Sequence, residues 1–147
     1  HEDFDELLVE TKKWAKLSQL NKYMLKWFLD KLEIKTQFLS ASDYEFSGKK
    51  SDLVLDMCKK LDAELYIFGS KGNEYAKNED FIKEKIQIIF QEYNHPTYPQ
   101  MFDKFISNLS ILDLIFNCGP KSKEIIMSDN ISKDQIIQRC RKENNYF

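Results

Sequence analysis

His95 is the internal histidine of the chain, and it lies in a segment rich in side chains that can hydrogen-bond, YNHPTYPQ at residues 93–100. Histidine changes its charge near neutral pH, so His95 is the natural candidate for a general base or acid. A single loop histidine also often has a structural role, and both interpretations stay open. Tyr93 is the candidate ligand-binding residue beside it.

Ser110, Asp113 and Asn117 recur at steps of three and four within NLSILDLIFN at residues 108–117, so a helix would place them on one face. A carboxylate among such apolar neighbours is costly to leave unpaired, and we therefore predict that Asp113 is largely buried and hydrogen-bonded. One interpretation is a buried polar network that holds the helix to nearby loops. The other makes Asp113 catalytic, orienting or charging a site group, while Ser110 and Asn117 hold a ligand or loop backbone.

Small and basic residues follow a short apolar run, as Gly69-Ser70-Lys71-Gly72. Backbone N–H groups in such a turn can approach an oxyanion, and Lys71 adds positive charge. The spacing matches neither the P-loop nor the dinucleotide-binding fingerprint, and glycines after a strand are commonly ordinary turn residues. Ser70 and Lys71 are therefore candidate ligand-binding residues, with a plain turn as the alternative.

The chain alternates between helical and extended patterns. Apolar residues at steps of three and four predict helices, and short apolar runs bounded by turn residues predict strands. The predicted helices cover residues 3–33, 52–61 (capped by Ser51), 79–85, 99–117, 121–127 and 132–143, and the predicted strands cover residues 34–39, 65–68 and 86–93. This order predicts an α/β fold, a small parallel sheet of about three strands with flanking helices and a helical C-terminal part.

Such a sheet also predicts where a ligand would bind, because ligands of parallel sheets lie at the carboxyl ends of the strands. Polar segments follow the three predicted strand ends, at residues 40–43, 69–73 and 93–98. The sequence therefore adds Ser40 and Ser42 to the ligand-binding candidates. It also predicts that His95 lies within about one ligand's length of Ser42 and Ser70 in a shared pocket.

Composition restricts the class of protein. The 147 residues carry 22 Lys and Arg against 24 Asp and Glu, a net charge of −2 with both signs interspersed, so we predict no nucleic-acid partner. The apolar runs are too short to span a bilayer. The three cysteines form no C-x-x-C pair and there are two histidines, so we predict reduced thiols of a cytoplasmic protein and no metal site. The residues alone identify no cofactor and no oligomeric state.

Several of these segments resemble the WbqC-like protein family: LDAELYIFGS at residues 61–70, YNHPTYPQ at 93–100 and, most specifically, NLSILDLIFNCGP at 108–120. The resemblance covers about residues 17–127. It implies a role in the biosynthesis of bacterial cell-surface polysaccharide, including the O-antigen of lipopolysaccharide. The implied reaction transfers an aminoacyl unit (glycine) or an acyl unit to a sugar acid or amino sugar. The implied partners are a nucleotide-linked or lipid-linked sugar and an activated amino acid.

The chain departs from the family pattern in two ways. Asp62 stands where members usually carry glycine at a helix end. We also expect the family's leading segment, rich in Tyr, Trp and Pro, to be absent from this chain. We therefore expect one α/β domain over residues 1–128, partial relative to the family, and a helical tail over residues 129–147. The predicted function is a group transferase, and the alternative is a non-catalytic ligand-binding or scaffold subunit of the same pathway.

Overall fold

The computed structural model describes residues 2–128 and 130–144, so residue 1 and, in the predicted tail, residues 129 and 145–147 lie outside the described residues. The helices are α1 (Glu2–Thr11), α2 (Leu17–Lys31), α3 (Ser51–Lys60), α4 (Asn78–Lys83), α5 (Ile111–Cys118), α6 (Ser122–Met127) and α7 (Lys133–Asn144), and the strands are β1 (Leu65–Phe68) and β2 (Gln87–Phe90). Short 3₁₀ turns cover Ala41–Asp43, Ser70–Glu74 and Gly119–Lys121. The predicted mixed α/β class is confirmed.

The chain divides into two compact units. Unit 1 takes its residues from the ranges His1–Gln37 and Thr97–Ile126, and unit 2 from Phe38–Pro96 and Met127–Phe147. The expectation of one domain ending at residue 128 stays a prediction.

Unit 2 contains the sheet. β1 and β2 pair in parallel, with Leu65 opposite Gln87 and Phe68 opposite Phe90. Parallel neighbours need a crossover connection, which here includes α4. Phe68 is the centre of the core, packing edge-on against Phe81 and stacking on Phe90, with ring centroids 5.6 and 5.4 Å away. The predicted parallel pairing of these two segments is confirmed.

α3 completes the core of unit 2, as the sequence predicts. Its Cys58 is buried with Phe68, Phe81 and Ile86, and Val54 and Leu55 pack against this cluster. Burial raises the pKa of the Cys58 thiol, so this cysteine stays protonated at neutral pH. The predicted cap of α3 is wrong, because the Ser51 hydroxyl accepts a hydrogen bond from the Lys77 N–H instead (2.9 Å).

Unit 1 is helical and is built from α1, α2, α5 and α6. Phe4 packs edge-on against Trp27 and Phe116, at centroid distances of 6.1 and 5.2 Å, and so links α1 to α2 and α5. The buried Ser122 hydroxyl donates to the Gly119 carbonyl (2.7 Å), which fixes the start of α6.

Residues 34–39 do not form the predicted strand. α2 ends in a Schellman motif, in which Glu33 takes φ 52° and the Ile34 N–H donates to the Leu29 carbonyl (2.8 Å). The Ile34 N–H, which would be the first donor to a neighbouring strand, is thereby used by the end of α2. Farther along, Phe38 and Leu39 are 39% and 43% exposed, so no apolar face is available for a sheet.

Two other predicted helices are too long. The helix over residues 3–33 is interrupted at residues 12–16, where the chain turns and Trp14 packs on Tyr23 (centroids 5.7 Å apart). Residues 99–110 are irregular rather than helical, and Asn108 has φ 59°, outside the right-handed helical region. The last helix is confirmed, and Ser132 and Gln135 form a reciprocal capping box at its start (2.7 and 3.3 Å).

Candidate functional site

Two of the three predicted ligand-binding segments follow the carboxyl ends of neighbouring strands in unit 2. Because β1 and β2 are parallel and Phe68 is opposite Phe90, the chain leaves both strands at one edge of the sheet. The Gln91 N–H donates to the Phe68 carbonyl (2.8 Å) and extends the pairing by one residue. Ser70 and Lys71 follow β1, and Tyr93 and His95 follow β2.

The turn after β1 is organised by packing. Gly72 is buried, and a Cβ atom there would lie 2.5 Å from the Phe68 Cβ. Its N–H donates to the Gly69 carbonyl (2.8 Å), so this amide is not available to hold an anion. Ser70 and Lys71 are exposed at the start of the turn. The anion-binding hypothesis therefore depends on Lys71 rather than on the Gly72 amide.

His95 is half-buried, and its Nδ1 atom is buried. Its ring meets the Tyr93 ring edge-on, with centroids 6.2 Å apart. Burial raises the pKa of Tyr93, which stays protonated at neutral pH. On the other side Pro96 is buried, and the backbone of Asn94 both donates to and accepts from the Asn130 side chain (3.3 and 3.4 Å). The backbone around His95 is thus held at several points.

Ser40 and Ser42 lie at the 3₁₀ turn Ala41–Asp43 of unit 2, and their hydroxyls are hydrogen-bonded to each other (2.9 Å). No strand precedes them, so the sequence argument that put them at the sheet edge is wrong for these two residues. Their binding of a ligand, and their nearness to His95, stay predictions.

In unit 1 the Asp113 carboxylate is the centre of a polar cluster. Its Oδ2 accepts hydrogen bonds from the Tyr98 hydroxyl (2.9 Å) and the Gln100 Nε2 (3.1 Å). Its Oδ1 accepts from the Asn117 Nδ2 (3.2 Å), which also donates to the Asp113 carbonyl (2.8 Å). Asp113 is hydrogen-bonded as predicted, but half-buried rather than largely buried. This geometry is that of a network joining the helix to a loop.

Two titratable side chains near Asp113, those of Tyr98 and Cys118, stay protonated at neutral pH. Burial raises the pKa of Tyr98, and its hydrogen bond to Asp113 acts in the same direction. Burial also raises the pKa of the Cys118 thiol, and the Asp113 charge adds to this effect. Cys118 is therefore a poor nucleophile at neutral pH. Ser110 contributes through its backbone, since its carbonyl accepts from the Asp113 N–H (3.0 Å) while its side chain is exposed.

Gln100 extends this cluster into the following loop. Its side-chain amide pairs with the backbone of Ile106 in both directions, donating to the carbonyl (2.9 Å) and accepting from the N–H (2.8 Å). The loop is closed at its base, and Met101 and Phe102 remain 84% and 79% exposed. Sequence reasoning assigned no role to Tyr98 or Gln100, since no helical or strand spacing connects them to Asp113.

Comparison with known proteins places this chain. The model of the WbqC-like protein family matches residues 2–125. The chain belongs to the WbqC-like protein family. It is similar to the uncharacterized protein Rv1507c of Mycobacterium tuberculosis, with 28% identity over 111 residues, 75% of this chain and 48% of that protein. The chain thus spans about half the length of this curated relative. No solved structure matches it.

The WbqC-like match includes residues of both units and every predicted site residue, and it ends before the stretch Met127–Phe147 of unit 2. None of the helices in the described part of the chain has the length and apolarity needed to cross a membrane. Within residues 2–128 and 130–144, no group of three or more His, Cys, Asp or Glu side chains is arranged to hold a metal ion.

Proposed function

We propose that this WbqC-like chain takes part in the transfer of an aminoacyl or acyl unit to a sugar during the biosynthesis of bacterial cell-surface polysaccharide such as O-antigen. The proposed partners are an activated amino acid and a nucleotide-linked or lipid-linked sugar. The observation that carries the proposal is the parallel register of β1 and β2, which brings the segments containing Lys71 and His95 to one edge of a sheet.

The proposed step requires a base and a site for negative charge. The amine or hydroxyl of the sugar attacks the carbonyl carbon of the aminoacyl donor, so a C–N or C–O bond forms and the bond to the donor's leaving group breaks. His95 accepts the proton of the attacking atom through Nε2, because Nδ1 is buried. The Lys71 ammonium attracts the donor phosphate or the developing oxyanion, and Ser70 and Tyr93 supply hydrogen bonds.

A transfer assay tests this proposal with glycyl-adenylate as donor and UDP-glucosamine as acceptor, and mass spectrometry detects the glycylated sugar. We expect His95→Gln to lower the transfer rate by roughly two to four orders of magnitude. The matched control is Glu92→Gln, which changes an exposed residue just before this segment and should keep the wild-type rate. Failure of the wild-type chain to transfer glycine, or an undiminished rate in His95→Gln, would contradict the proposal.

The alternative is a non-catalytic ligand-binding or scaffold subunit of the same pathway. A specific observation favours it: both carboxylate oxygens of Asp113 already accept hydrogen bonds from side chains of unit 1. Asp113 then acts as a structural residue rather than a catalytic one. Binding of the sugar nucleotide without transfer of glycine, measured by calorimetry beside the transfer assay, is the result expected for this alternative.

A further inference from the structure

Residues 45–47 of unit 2 are fixed against α3 by two charged side chains of that helix. The Lys60 ammonium donates to the Glu45 carbonyl and to the Asp56 carboxylate, the latter at 2.9 Å. The same carboxylate oxygen accepts from the Ser47 N–H (2.8 Å). The ammonium also lies 5.9 Å from the centroid of the Phe46 ring. This segment is therefore preorganised although it has little regular structure.

An aromatic pair lies at the start of this segment. Tyr44 and Phe46 stack with ring centroids 5.2 Å apart and planes 15° from parallel. Phe46 is half-buried, whereas Tyr44 is 38% exposed. Phe46 thus supports one side of the Tyr44 ring, and part of the remaining ring surface is accessible to a flat or apolar group.

Polar side chains lie immediately before Tyr44. The Ser40 and Ser42 hydroxyls share a hydrogen bond (2.9 Å), and Ser42 donates to the exposed Asp43 carboxylate (3.3 Å). These groups form a short chain of hydroxyl and carboxylate oxygens at the 3₁₀ turn Ala41–Asp43. Hydroxyls both donate and accept, and the carboxylate accepts, so together they suit a partner with several O–H or N–H donors.

We propose that Tyr44, with Ser42 and Asp43, forms a binding subsite for the hexopyranose ring of a neutral or amino sugar. The C–H face of such a ring packs on an aromatic side chain while its hydroxyls bond to neighbouring oxygens. The exposed carboxylate of Asp43 repels an anion and attracts an ammonium, and Lys60 is already bonded to Asp56. The subsite therefore selects against uronic acids. It rests on the proposed function, in which a sugar is the acceptor.

Binding to the full chain tests the subsite, with glucosamine and glucuronate as probes in saturation-transfer NMR and calorimetry. We expect glucosamine to bind more tightly than glucuronate. Tyr44→Ala should weaken glucosamine binding about fivefold, as loss of an aromatic contact commonly does, and Tyr44→Phe should keep it. Asp43→Asn should reduce the preference for glucosamine. The matched control is Phe102→Ala, which removes an exposed aromatic side chain of unit 1 and should have no effect.

Several results would overturn the subsite. Absence of glucosamine binding, a preference for glucuronate, or wild-type affinity in both Tyr44→Ala and Asp43→Asn would each contradict it. Circular dichroism checks that the variants fold. If Tyr44→Ala does not fold, Asp43→Asn alone provides the test. If the chain transfers glycine but neither binds glucosamine nor prefers it over glucuronate, the subsite is contradicted and the enzymatic proposal stands. Sugar binding with no transfer supports the subsite and contradicts the enzymatic proposal.

Discussion

At the scale of single residues, the Asp113 carboxylate connects helix α5 to the loop before it. Asp113→Ala should leave the buried Tyr98 hydroxyl and the Gln100 amide without this acceptor, at a cost of about 1–3 kcal/mol in unfolding free energy. Urea denaturation measures the change. Asp103→Ala removes an exposed carboxylate from the same loop and should unfold like the wild type. Equal stability of the two variants would contradict the role given to Asp113.

Gly72 and Gly69 belong to the turn after β1 but differ in the space available for a side chain. Gly72→Ala places a Cβ 2.5 Å from the Phe68 Cβ and should destabilise the chain by about 1–3 kcal/mol through overpacking. Gly69→Ala meets nothing within 4 Å of its new Cβ and should leave stability close to wild type. Thermal unfolding of both variants makes this comparison. A Gly72→Ala chain as stable as Gly69→Ala would show that the turn tolerates the added methyl group.

The candidate site could be predicted from sequence only in part. Asp113 was identified because a carboxylate stands out in an apolar helix, and Asn117 because it lies one turn away. Tyr98 and Gln100 were missed because they reach Asp113 across an irregular loop. Ser40 and Ser42 are assigned to the sheet edge through a strand that does not form, and Tyr44, just after the polar segment at residues 40–43, has no spacing that singles it out.

At the scale of elements, three helices end in the same unusual way. Glu33, Asp62 and Lys85 have φ of 52°, 50° and 60°, and the N–H of each following residue donates five residues back, to Leu29, Cys58 and Phe81. These are Schellman motifs with a side chain where glycine is usual. The left-handed conformation costs such residues about 1–2 kcal/mol, less for aspartate, whose short side chain tolerates it better. Asp62, where the family resemblance implies glycine, is thus the left-handed residue at the end of α3.

Glycine at these positions should stabilise the chain. Glu33→Gly and Lys85→Gly remove the backbone strain of a left-handed residue that carries a side chain. The free energy gained exceeds the entropy cost of the more flexible unfolded chain, so we expect each variant to gain about 0.5–1 kcal/mol in unfolding free energy. Asp62→Gly should gain less. Lys26→Gly, at an exposed position inside α2, is the matched control and should lose about 0.5–1 kcal/mol. Denaturant melts rank the four variants, and a loss of stability in Glu33→Gly would contradict the strain argument.

The elements that sequence reasoning found are those whose pattern and packing agree. β1, β2 and α3 combine a clear apolar pattern with a shared core around Phe68 and Cys58. Residues 34–39 have an alternating pattern, but the end of α2 uses the first backbone donor. Residues 99–110 contain helix-compatible residues, yet the Gln100 side chain replaces helical hydrogen bonds with a closed loop. These outcomes depend on contacts between segments, which periodicity does not report.

At the scale of the whole molecule, shifted pKa values predict how stability depends on pH. The Ser47 N–H, followed by Lys60, lowers the pKa of Asp56, so its contribution is present above about pH 4 and is lost as pH falls through the lowered value. Burial raises the pKa values of Cys58, Tyr66 and Tyr98, so their contribution is present at neutral pH and is lost progressively as pH rises above about 9 for the thiol and about 10 for the phenols.

We therefore expect maximal stability between about pH 5 and 8, measured by urea denaturation across pH. Asp56→Asn should reduce stability at neutral pH, and its difference from the wild type should shrink toward acid pH. Tyr98→Phe should lose less stability than the wild type above about pH 10, where the phenol ionises in the unfolded chain but is held protonated in the folded chain. Parallel pH profiles of Asp56→Asn and the wild type would contradict the acid part of this prediction.

The Gln100–Ile106 pairing also makes the loop between them a suitable position for protein engineering. Because the side-chain amide holds both ends of the loop, a foreign peptide inserted there would start and finish at atoms that are already close together. The entropy cost of a longer loop grows only slowly with its length. The chain can thus display an epitope or carry a reporter peptide in place of residues 101–105. The same replacement removes the exposed apolar side chains of Met101 and Phe102.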